Sequence, residues 1–488
     1  MSETLLLGID EGTTAVKAAL LDTRLNPVAE SRRAVATSHP APGRVEQDPE
    51  EVLEAVAGCV AEVLKAAPAD ARVVAGLAHQ GESVLAWEAG GTAITPIVVW
   101  QDKRQEALLA ELGEAAVERS GLPLDPYFSA GKLAWLVAHE PAVAAAADRG
   151  RLRLGTVDAY LTDRLGGRFA TDLSTASRTQ LLALGGEDWD RGLLDAFGLR
   201  REWLPTTGPT WGALGRLRHP SWPREVELTA KLVDQQAALA GSGCVSPGQT
   251  KATYGTGVFV LARTERPLAV PGLLPTVAWA APGPGGEAVG EPEAALDGGI
   301  FTAGALLEWM ADGLGLAKDV PALARLAASV ADTGGVRVLP ALAGLGSPWW
   351  EPGAQGVIAG LSGGTRPAHV ARAALEAIAH RVADVVEAIA TVAPIASLRV
   401  DGGLTNDPTL LQVQADLLGL PLEVLRADTT ALGAATLAGV GAGVFGSPQS
   451  AARDLPSGRT IEPTMAAAQR ERERARWREF VARAAVLG

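Results

Sequence analysis

The chain has 488 residues, 47% of them apolar and 20% charged, so it can bury large cores and form two or more domains. A formal net charge of −13 argues against nucleic acid or an anionic membrane surface as its main partner. The only two cysteines, Cys59 and Cys244, lie far apart, which excludes a disulfide framework and favours a reducing cytoplasm. The N-terminus lacks the pattern of a signal peptide, and no apolar run approaches the ~18 residues of a membrane helix, so we expect neither.

The first predicted element is a β-hairpin with a polar tip. The apolar run LLLGI ends at Asp10, the turn EGTT follows, and the apolar run AVKAALL completes the hairpin. Gly12 brings backbone N–H groups forward, and Thr13 and Thr14 carry hydroxyls. Amides and hydroxyls donate to phosphoryl oxygens while a carboxylate faces a metal, so the tip suits an Mg²⁺-bound phosphate chain. Taken alone, the motif is equally explained as a polar surface turn.

Strands and helices alternate through the rest of the first half. The predicted elements are strands at 25–37, 71–80 and 93–102, a helix that starts at 48–49 and continues to 64, and a helix within 127–140 that follows an aromatic loop. Polar groups follow two of these strands, at Gln80-Gly81-Glu82 and at Trp100-Gln101-Asp102. Open α/β sheets bind ligands at such strand ends.

The second half repeats the pattern of the first. Asp234 stands at a strand-to-helix transition, and the stretch QTKATYGTGVFVLA predicts a second hairpin with a Gly-Thr-Gly turn at 255–257. This similarity indicates an internal duplication with two similar domains that face one cleft. A long helix at 365–393, a βαβα unit at 397–439 and an amphipathic terminal helix from Met465 complete the prediction.

Two stretches approach known binding motifs but lack a required feature. The glycines of 441–446 match GxGxxG, but they follow a helix rather than a strand, so they indicate a helix end and a loop. The stretch 243–250 approaches a P-loop, but Gln249 stands where the lysine must be. The six histidines form no close cluster and predict no metal site.

Taken together, the ordered motifs resemble those of the FGGY carbohydrate kinases. The matching stretches include GIDEGTT, VVWQD, LDPYFSAGKLAWL, ASRTQL, VDQQAAL, TYGTGVF, GLGSPWWEP, RVDGG and TALGAATLAG. They cover nearly the whole chain and are most similar to those of the glycerol-phosphorylating members. The resemblance implies two ribonuclease-H-like α/β domains of the actin/Hsp70/hexokinase type around a central cleft, at 1–242 and 243–488. It also implies ATP and Mg²⁺ as cofactors and a homo-oligomer, a dimer or a tetramer.

The resemblance assigns roles on the phosphoryl side of the cleft. Asp10 corresponds to the acid that faces Mg²⁺. Asp234 corresponds to the catalytic base, and both carboxylates are expected at the metal site. Alone, Asp234 is equally explained as a helix N-cap. The remaining positions implied to bind the nucleotide are Gly12, Thr13, Thr14, Lys17, Gly255, Thr256, Gly257, Gly304, Gly402, Gly403 and Asp407.

The resemblance also implies a polyol pocket. Its positions are Gly81, Glu82, Trp100, Tyr127, Asp234, Gln235 and Phe259. An aromatic wall for the C–H face and carboxylate or amide partners for the hydroxyls suit a sugar alcohol. Taken singly, Trp100 and Tyr127 are as readily explained as core aromatics.

Two departures from the family pattern bear on the acceptor. Gly81 replaces the arginine that holds the two hydroxyls that are not phosphorylated, and we expect it to open space for an acceptor larger than glycerol. On that interpretation, Gly81→Arg would raise the turnover of glycerol. Val233 replaces a glycine before the Asp-Gln-Gln motif, and we expect it to tilt the base.

Other departures concern the nucleotide and regulation. Asp407 and Glu308 stand where amides are usual, so the preferred nucleotide base is open. The loop that binds fructose 1,6-bisphosphate in some bacterial relatives has no counterpart, and we expect no regulation by that ligand.

The sequence therefore predicts ATP-dependent phosphorylation of a terminal hydroxyl of glycerol or a related polyol, with a small-molecule acceptor and neither nucleic acid nor membrane as partner. A kinase for a tetritol, pentitol or pentulose is the nearest alternative. An ATPase of the actin-like fold without a sugar substrate is the alternative from another class.

Overall fold

The computed structural model of the protein describes residues 3–286, 289–425 and 428–485. The strands are β1 Thr4–Glu11, β2 Ala15–Leu21, β3 Pro27–Ala34, β4 Glu46–Gln47, β5 Arg72–His79, β6 Val84–Glu88, β7 Ile97–Val98, β8 Leu152–Thr156, β9 Ala170–Asp172, β10 Thr206–Gly208, β11 Trp211–Leu217, β12 Val226–Val233, β13 Thr250–Tyr254, β14 Val258–Thr264, β15 Leu274–Pro282, β16 Val289–Ile300, β17 Arg337–Leu339, β18 Val357–Ala359, β19 Leu398–Asp401, β20 Leu422–Val424 and β21 Arg459–Ile461.

The helices alternate with these strands. They are α1 Pro49–Leu64, α2 Glu106–Leu112, α3 Ser129–His139, α4 Pro141–Asp148, α5 Val157–Gly166, α6 Leu173–Ala176, α7 Arg191–Ala196, α8 Asp234–Gly241, α9 Gly304–Glu308, α10 Val320–Ala328, α11 Pro367–Ala390, α12 Pro408–Leu418, α13 Thr429–Gly441, α14 Pro448–Ala451 and α15 Ala467–Ala484. A π-helical turn at Trp309–Gly313 continues α9.

The first half is built on a six-stranded sheet in the order β11-β12-β5-β1-β2-β3. Strands β1, β2 and β3 form an antiparallel meander, and β1, β5 and β12 run parallel to one another. The predicted opening hairpin is therefore confirmed, and its register places Asp10 opposite Lys17. Because β1 and β5 are buried on both faces, they read as nearly continuous apolar runs.

The second half repeats this topology in a seven-stranded sheet, β15-β16-β14-β13-β19-β20-β21. Here β13, β14 and β16 form the antiparallel meander, and β13, β19 and β20 are parallel. The internal duplication and the fold class, two ribonuclease-H-like units, are confirmed. Of the predicted strand at 422–427, residues 422–424 are observed, and its last two positions lie outside the described residues. The division of the chain between residues 242 and 243 stays a prediction.

The predicted start of α1 at 48–49 is confirmed. Asp48 caps α1 by accepting a hydrogen bond of 2.8 Å from the backbone N–H of Glu50, and Pro49 begins the helix. The long helix α11 begins at Pro367, and the terminal helix α15 buries Trp477 against it. The buried carboxylate of Asp384 accepts from Trp477 Nε1 at 3.0 Å and from Arg474 at 2.6 Å, so Arg474 anchors α15 to α11.

The predicted strand at 93–102 is wrong in length, because the strand is limited to Ile97–Val98. Beside it, some backbone groups bond to side chains. The hydroxyl of Thr95 accepts from the N–H of Ala86, and the N–H of Trp100 donates to Ser83 Oγ, both at 3.0 Å. Pro96 has no N–H to donate. The backbone therefore leaves the sheet before Trp100, which turns toward the cleft.

Helix α13 joins the two halves. It follows β20 of the second sheet in sequence but packs on the first sheet and crosses α8. A Cβ built on Gly433 would lie 1.8 Å from the carbonyl oxygen of Ala237, and one on Gly241 would lie 1.9 Å from that of Thr429. The two helices therefore cross with their backbones in contact. A Cβ on Gly8 of β1 would likewise lie 1.9 Å from a carbonyl oxygen of α13.

In the described part of the chain, no helix combines the length and the apolar character needed to cross a bilayer. The homo-oligomeric state stays a prediction.

Gly433→Ala tests the helix crossing. Alanine gains about 1 kcal/mol in helix propensity, but its methyl group would separate α13 from α8, and such overpacking costs about 1–3 kcal/mol or more. We expect a net fall in the free energy of unfolding in urea. Gly353→Ala is the control, because no described atom lies within 4 Å of a Cβ built there. Equal stability of the Gly433→Ala variant and the unaltered chain would contradict the close crossing.

Candidate active site

A cavity of about 510 Å³ lies between the two sheets. It is lined by residues from both halves of the chain, and it brings together most of the predicted site. The predicted residues that line it are Thr13, Thr14, Gly81, Glu82, Trp100, Tyr127, Asp234, Gln235, Gly255, Thr256, Gly257 and Phe259.

Asp10 is the last residue but one of β1 and is buried. Lys17, its partner across the hairpin, has its Nζ 3.7 Å from Asp10 Oδ2 and contacts Asp428, which precedes α13. Burial and the Asp428 carboxylate raise the pKa of Asp10 to about 8, Asp234 adds to the rise, and Lys17 opposes it. This excess of negative charge is what a divalent cation would neutralise, so the donor set fits Mg²⁺.

Asp234 is the first residue of α8, and it follows directly from β12. The N-cap position belongs to Val233, so Asp234 is not the cap of the helix. Its Oδ1 accepts a hydrogen bond of 2.6 Å from the backbone N–H of Gln235. Burial raises the pKa of Asp234, while the charges of Lys251 and His79 oppose the rise.

Lys251 received no role in the sequence analysis, yet it orients Gln235. It is 1% exposed, and its Nζ donates to Gln235 Oε1 at 2.5 Å and to Thr253 Oγ1 at 2.9 Å. Burial lowers the pKa of Lys251, and Asp401 opposes that shift first. Because the amide oxygen of Gln235 is engaged, its NH₂ group is the part left to donate to a ligand.

Aromatic rings from both halves form one wall of the cavity. The ring centroids of Trp100 and Tyr127 are 5.7 Å apart in an edge-to-face arrangement, and those of Trp100 and Phe259 are 6.5 Å apart. Phe301, which was not predicted, lies 6.3 Å from Tyr127. Trp100 Nε1 also donates to Thr13 Oγ1 at 3.0 Å, which ties the wall to the first phosphate loop.

Arg178 and Asp297 also line the cavity, and the sequence analysis gave neither a role. Arg178 Nε donates to Glu82 Oε1 at 2.6 Å, and its Nη2 lies 3.0 Å from Asp297 Oδ2. Burial raises the pKa of Glu82 and of Asp297, and in each case the guanidinium opposes the rise. The motif ASRTQL contains Arg178 and was one signal for it, whereas only the fold brings Asp297 of β16 to the same place.

Gly81 and Val233 are in contact across the cavity wall. A Cβ built on Gly81 would lie 2.9 Å from Val233 Cγ1, closer than real Cβ contacts come. The expectation that Gly81 opens space is therefore wrong beside its Cα, because the valine side chain fills that position. Because the new side chain would meet Val233, the gain of glycerol turnover expected of Gly81→Arg requires that the valine move or be replaced.

The predicted residues Gly12, Gly304, Gly402 and Gly403 do not line the cavity. Gly304 donates its N–H to the carbonyl of Gly255 at 3.1 Å, so it supports the second loop. Gly402 has φ +95°, and a Cβ there would lie 2.3 Å from the carbonyl oxygen of Tyr254. Gly403 begins a short 3₁₀ turn, and Gly12 donates to Ala15 O at 3.2 Å within the opening turn.

Asp407 caps α12 instead of standing free. Its Oδ1 accepts from the N–H groups of Thr409 at 2.8 Å and Leu410 at 3.2 Å. Its contact with the nucleotide base stays a prediction. Within the described ranges, no group of three or more His, Cys, Asp or Glu side chains is arranged to hold a metal ion.

Two duplicated α/β units, a phosphate-type hairpin from each, and a buried carboxylate between them define a phosphotransferase. The FGGY family of carbohydrate kinases, N-terminal domain, matches residues 5–241, and the C-terminal domain of the same family matches residues 250–442. The chain belongs to the FGGY family of carbohydrate kinases, and it is an ATP-dependent kinase.

Known proteins with similar sequences align with this chain over nearly its full length. A glycerol kinase of Citrifermentans bemidjiense is 42% identical over 492 residues, which cover 98% of this chain and 98% of the relative. A glycerol kinase of Aromatoleum aromaticum is 41% identical over 494 residues, with the same coverage of both chains.

Solved structures show the same fold. A glycerol kinase of Plasmodium falciparum with ADP superposes with a TM-score of 0.90 at 28% identity and covers 99% of this chain and 98% of its own. A xyloylose kinase of Brucella ovis has a TM-score of 0.88 at 26% identity and covers 99% of this chain and 100% of its own.

Gly81→Ala tests the contact with Val233. The added methyl group would push the residue that precedes Asp234, and misplacing a reacting group by about 1 Å can cost about 100-fold in rate. We expect kcat to fall by up to about that factor while the KM for ATP is unchanged. The double variant Gly81→Ala/Val233→Ala removes the clashing Cγ atoms and should recover most of the loss. Equal activities of the single and double variants would show that the two positions act independently.

Proposed function

We propose that the protein transfers the γ-phosphoryl group of ATP to a terminal hydroxyl of glycerol. The observation that supports this most directly is the cavity itself, which joins two phosphate-type loops, a buried carboxylate and an aromatic wall. The full-length similarity to proteins named glycerol kinase supports the choice of acceptor.

In this proposal Asp234 is the general base. The acceptor oxygen attacks the γ-phosphorus, its proton passes to the Asp234 carboxylate, and the bond to the ADP oxygen breaks. Burial raises the pKa of Asp234 toward the operating range, which suits a base that must accept a proton during the transfer. Positioning and charge neutralisation supply most of the catalysis in phosphoryl transfer.

The loops would hold the nucleotide. Backbone N–H groups and hydroxyls of Gly12, Thr13, Thr14 and of Gly255, Thr256, Gly257 suit the β- and γ-phosphates, with Lys17 beside them. Gly304, Gly402, Gly403 and Asp407 are proposed for the adenosine side. Asp10 and Asp234 would hold Mg²⁺, which when bound neutralises phosphate charge.

Glu82, Gln235 and the aromatic wall would bind the acceptor. Trp100, Tyr127 and Phe259 supply apolar surface for C–H groups, and the carboxylate and the amide pair with hydroxyls. A larger polyol or a ketose is the second candidate, because position 81 offers no side chain to the acceptor. An ATPase without an acceptor is disfavoured, since a water nucleophile needs no such wall.

We also propose a cytoplasmic location. Cys59 and Cys244 are both buried and free, which suits a reducing compartment.

Asp234→Asn tests the base. The amide keeps the shape but cannot accept the proton, and loss of a general base lowers the rate by about 10²–10⁴-fold. We expect that fall in kcat in a coupled ADP-release assay, while ATP still binds in a fluorescence titration. Asp188→Asn, a change at an exposed carboxylate outside the cavity, is the control. Turnover close to that of the unaltered enzyme would remove Asp234 from the role.

An acceptor panel tests the substrate. Glycerol, erythritol, xylitol, ribitol and xylulose are compared by kcat/KM, with a reaction lacking any acceptor as the baseline. We expect glycerol to give the highest value. A higher value for a longer polyol or for xylulose would favour the second candidate, and ADP release that no acceptor stimulates would favour the ATPase.

A further inference from the structure

The acceptor cavity contains a buried cation with unused hydrogen-bonding capacity. Arg178 is 3% exposed, and its Nε and Nη2 are engaged by Glu82 and Asp297. Its Nη1 and the Oδ1 of Asp297 are buried, and neither has a hydrogen-bond partner within the described residues. Buried polar groups are nearly always paired, and an unpaired charged group is costly. These two atoms therefore indicate groups that a ligand completes.

The guanidinium is held in place before any ligand binds. Its Cζ lies 5.7 Å from the ring centroid of Tyr127 and 5.9 Å from that of Phe128. Glu82 fixes it from the first half of the chain, and Asp297 on β16 fixes it from the second. A preorganised group loses little side-chain freedom when it binds, so more of the interaction appears as affinity.

No other cation competes for this task. Among the described residues that line the cavity, Arg178 is the sole arginine or lysine. Position 81 contributes no side chain, and Val233 fills the place where one would begin. A cationic contact to the acceptor therefore has to come from Arg178.

We propose that Arg178 and Asp297 bind the acceptor hydroxyls that are not phosphorylated. Arg178 Nη1 donates to one hydroxyl oxygen, and Asp297 Oδ1 accepts from a hydroxyl group. This assignment rests on the proposed function, because it concerns the acceptor side of the same cavity. It restricts the substrate to compounds that carry hydroxyls next to the reacting one, and it joins both halves of the chain to the acceptor.

Deoxy analogues of glycerol test the assignment. Kinetics with glycerol, 1,2-propanediol and 1,3-propanediol are measured for the unaltered enzyme, Arg178→Lys and Asp297→Asn. A hydrogen bond to a charged group corresponds to about 10- to 100-fold in kcat/KM. In the unaltered enzyme we expect each missing hydroxyl to cost about that factor. In Arg178→Lys or Asp297→Asn we expect the cost of at least one missing hydroxyl to fall below about threefold, because its partner is already absent.

The controls separate a binding role from a structural one. Arg104→Lys alters an arginine that is 2% exposed by side chain and paired with Asp102 and Glu46, but that does not line the cavity. It should leave the analogue ratios unchanged. The Kd for ATP without acceptor and the Tm of each variant are measured beside the kinetics.

An equal fall for glycerol and both analogues in Arg178→Lys and in Asp297→Asn would overturn the proposal, because a structural defect affects all acceptors alike. Failure of the proposed function is seen separately, as a lack of glycerol turnover in the unaltered enzyme. In that case the same kinetics are measured with the best acceptor of the panel and its deoxy analogues. A selective loss of the cost of one missing hydroxyl supports the proposal, and an equal fall for all acceptors overturns it.

Discussion

The backbone contact between α8 and α13 is the constraint on which the site depends. Because Gly241 and Gly433 lack side chains, the last turn of α8 lies in backbone contact with the first turn of α13. Asp234 begins α8 and Asp428 precedes α13, and both carboxylates act on the pKa of Asp10. The crossing therefore brings Asp428 to the edge of the sheet where Asp10 and Asp234 lie.

Much of this site could be predicted because its groups are carried by local motifs. Asp10, the threonines of the first loop and Asp234 each stand at a strand end or in a turn whose sequence signals its own geometry. The similarity of the second hairpin, around Thr256, to the first one indicated the internal duplication. The lengths of short strands could not be predicted from the sequence. Near β7, for example, the side chains of Thr95 and Ser83 accept hydrogen bonds from backbone N–H groups.

Contacts between distant residues were beyond local patterns. Arg178 and Glu82 are 96 positions apart, and the partner of Arg178 on β16 comes from the other half. The sequence around Lys251 is that of an ordinary strand, yet its ammonium group donates a hydrogen bond to the side-chain amide of Gln235 and orients it. The changes at 81 and 233 were each visible in the sequence, but their contact was not, because only the parallel pairing of β5 with β12 brings these strand ends together.

The contact between Gly81 and Val233 has a consequence for how this acceptor site can evolve. A side chain gained at position 81 meets the valine, so a smaller residue at position 233 would make room for it. The two positions are therefore coupled, and the effect of a change at one depends on the residue at the other.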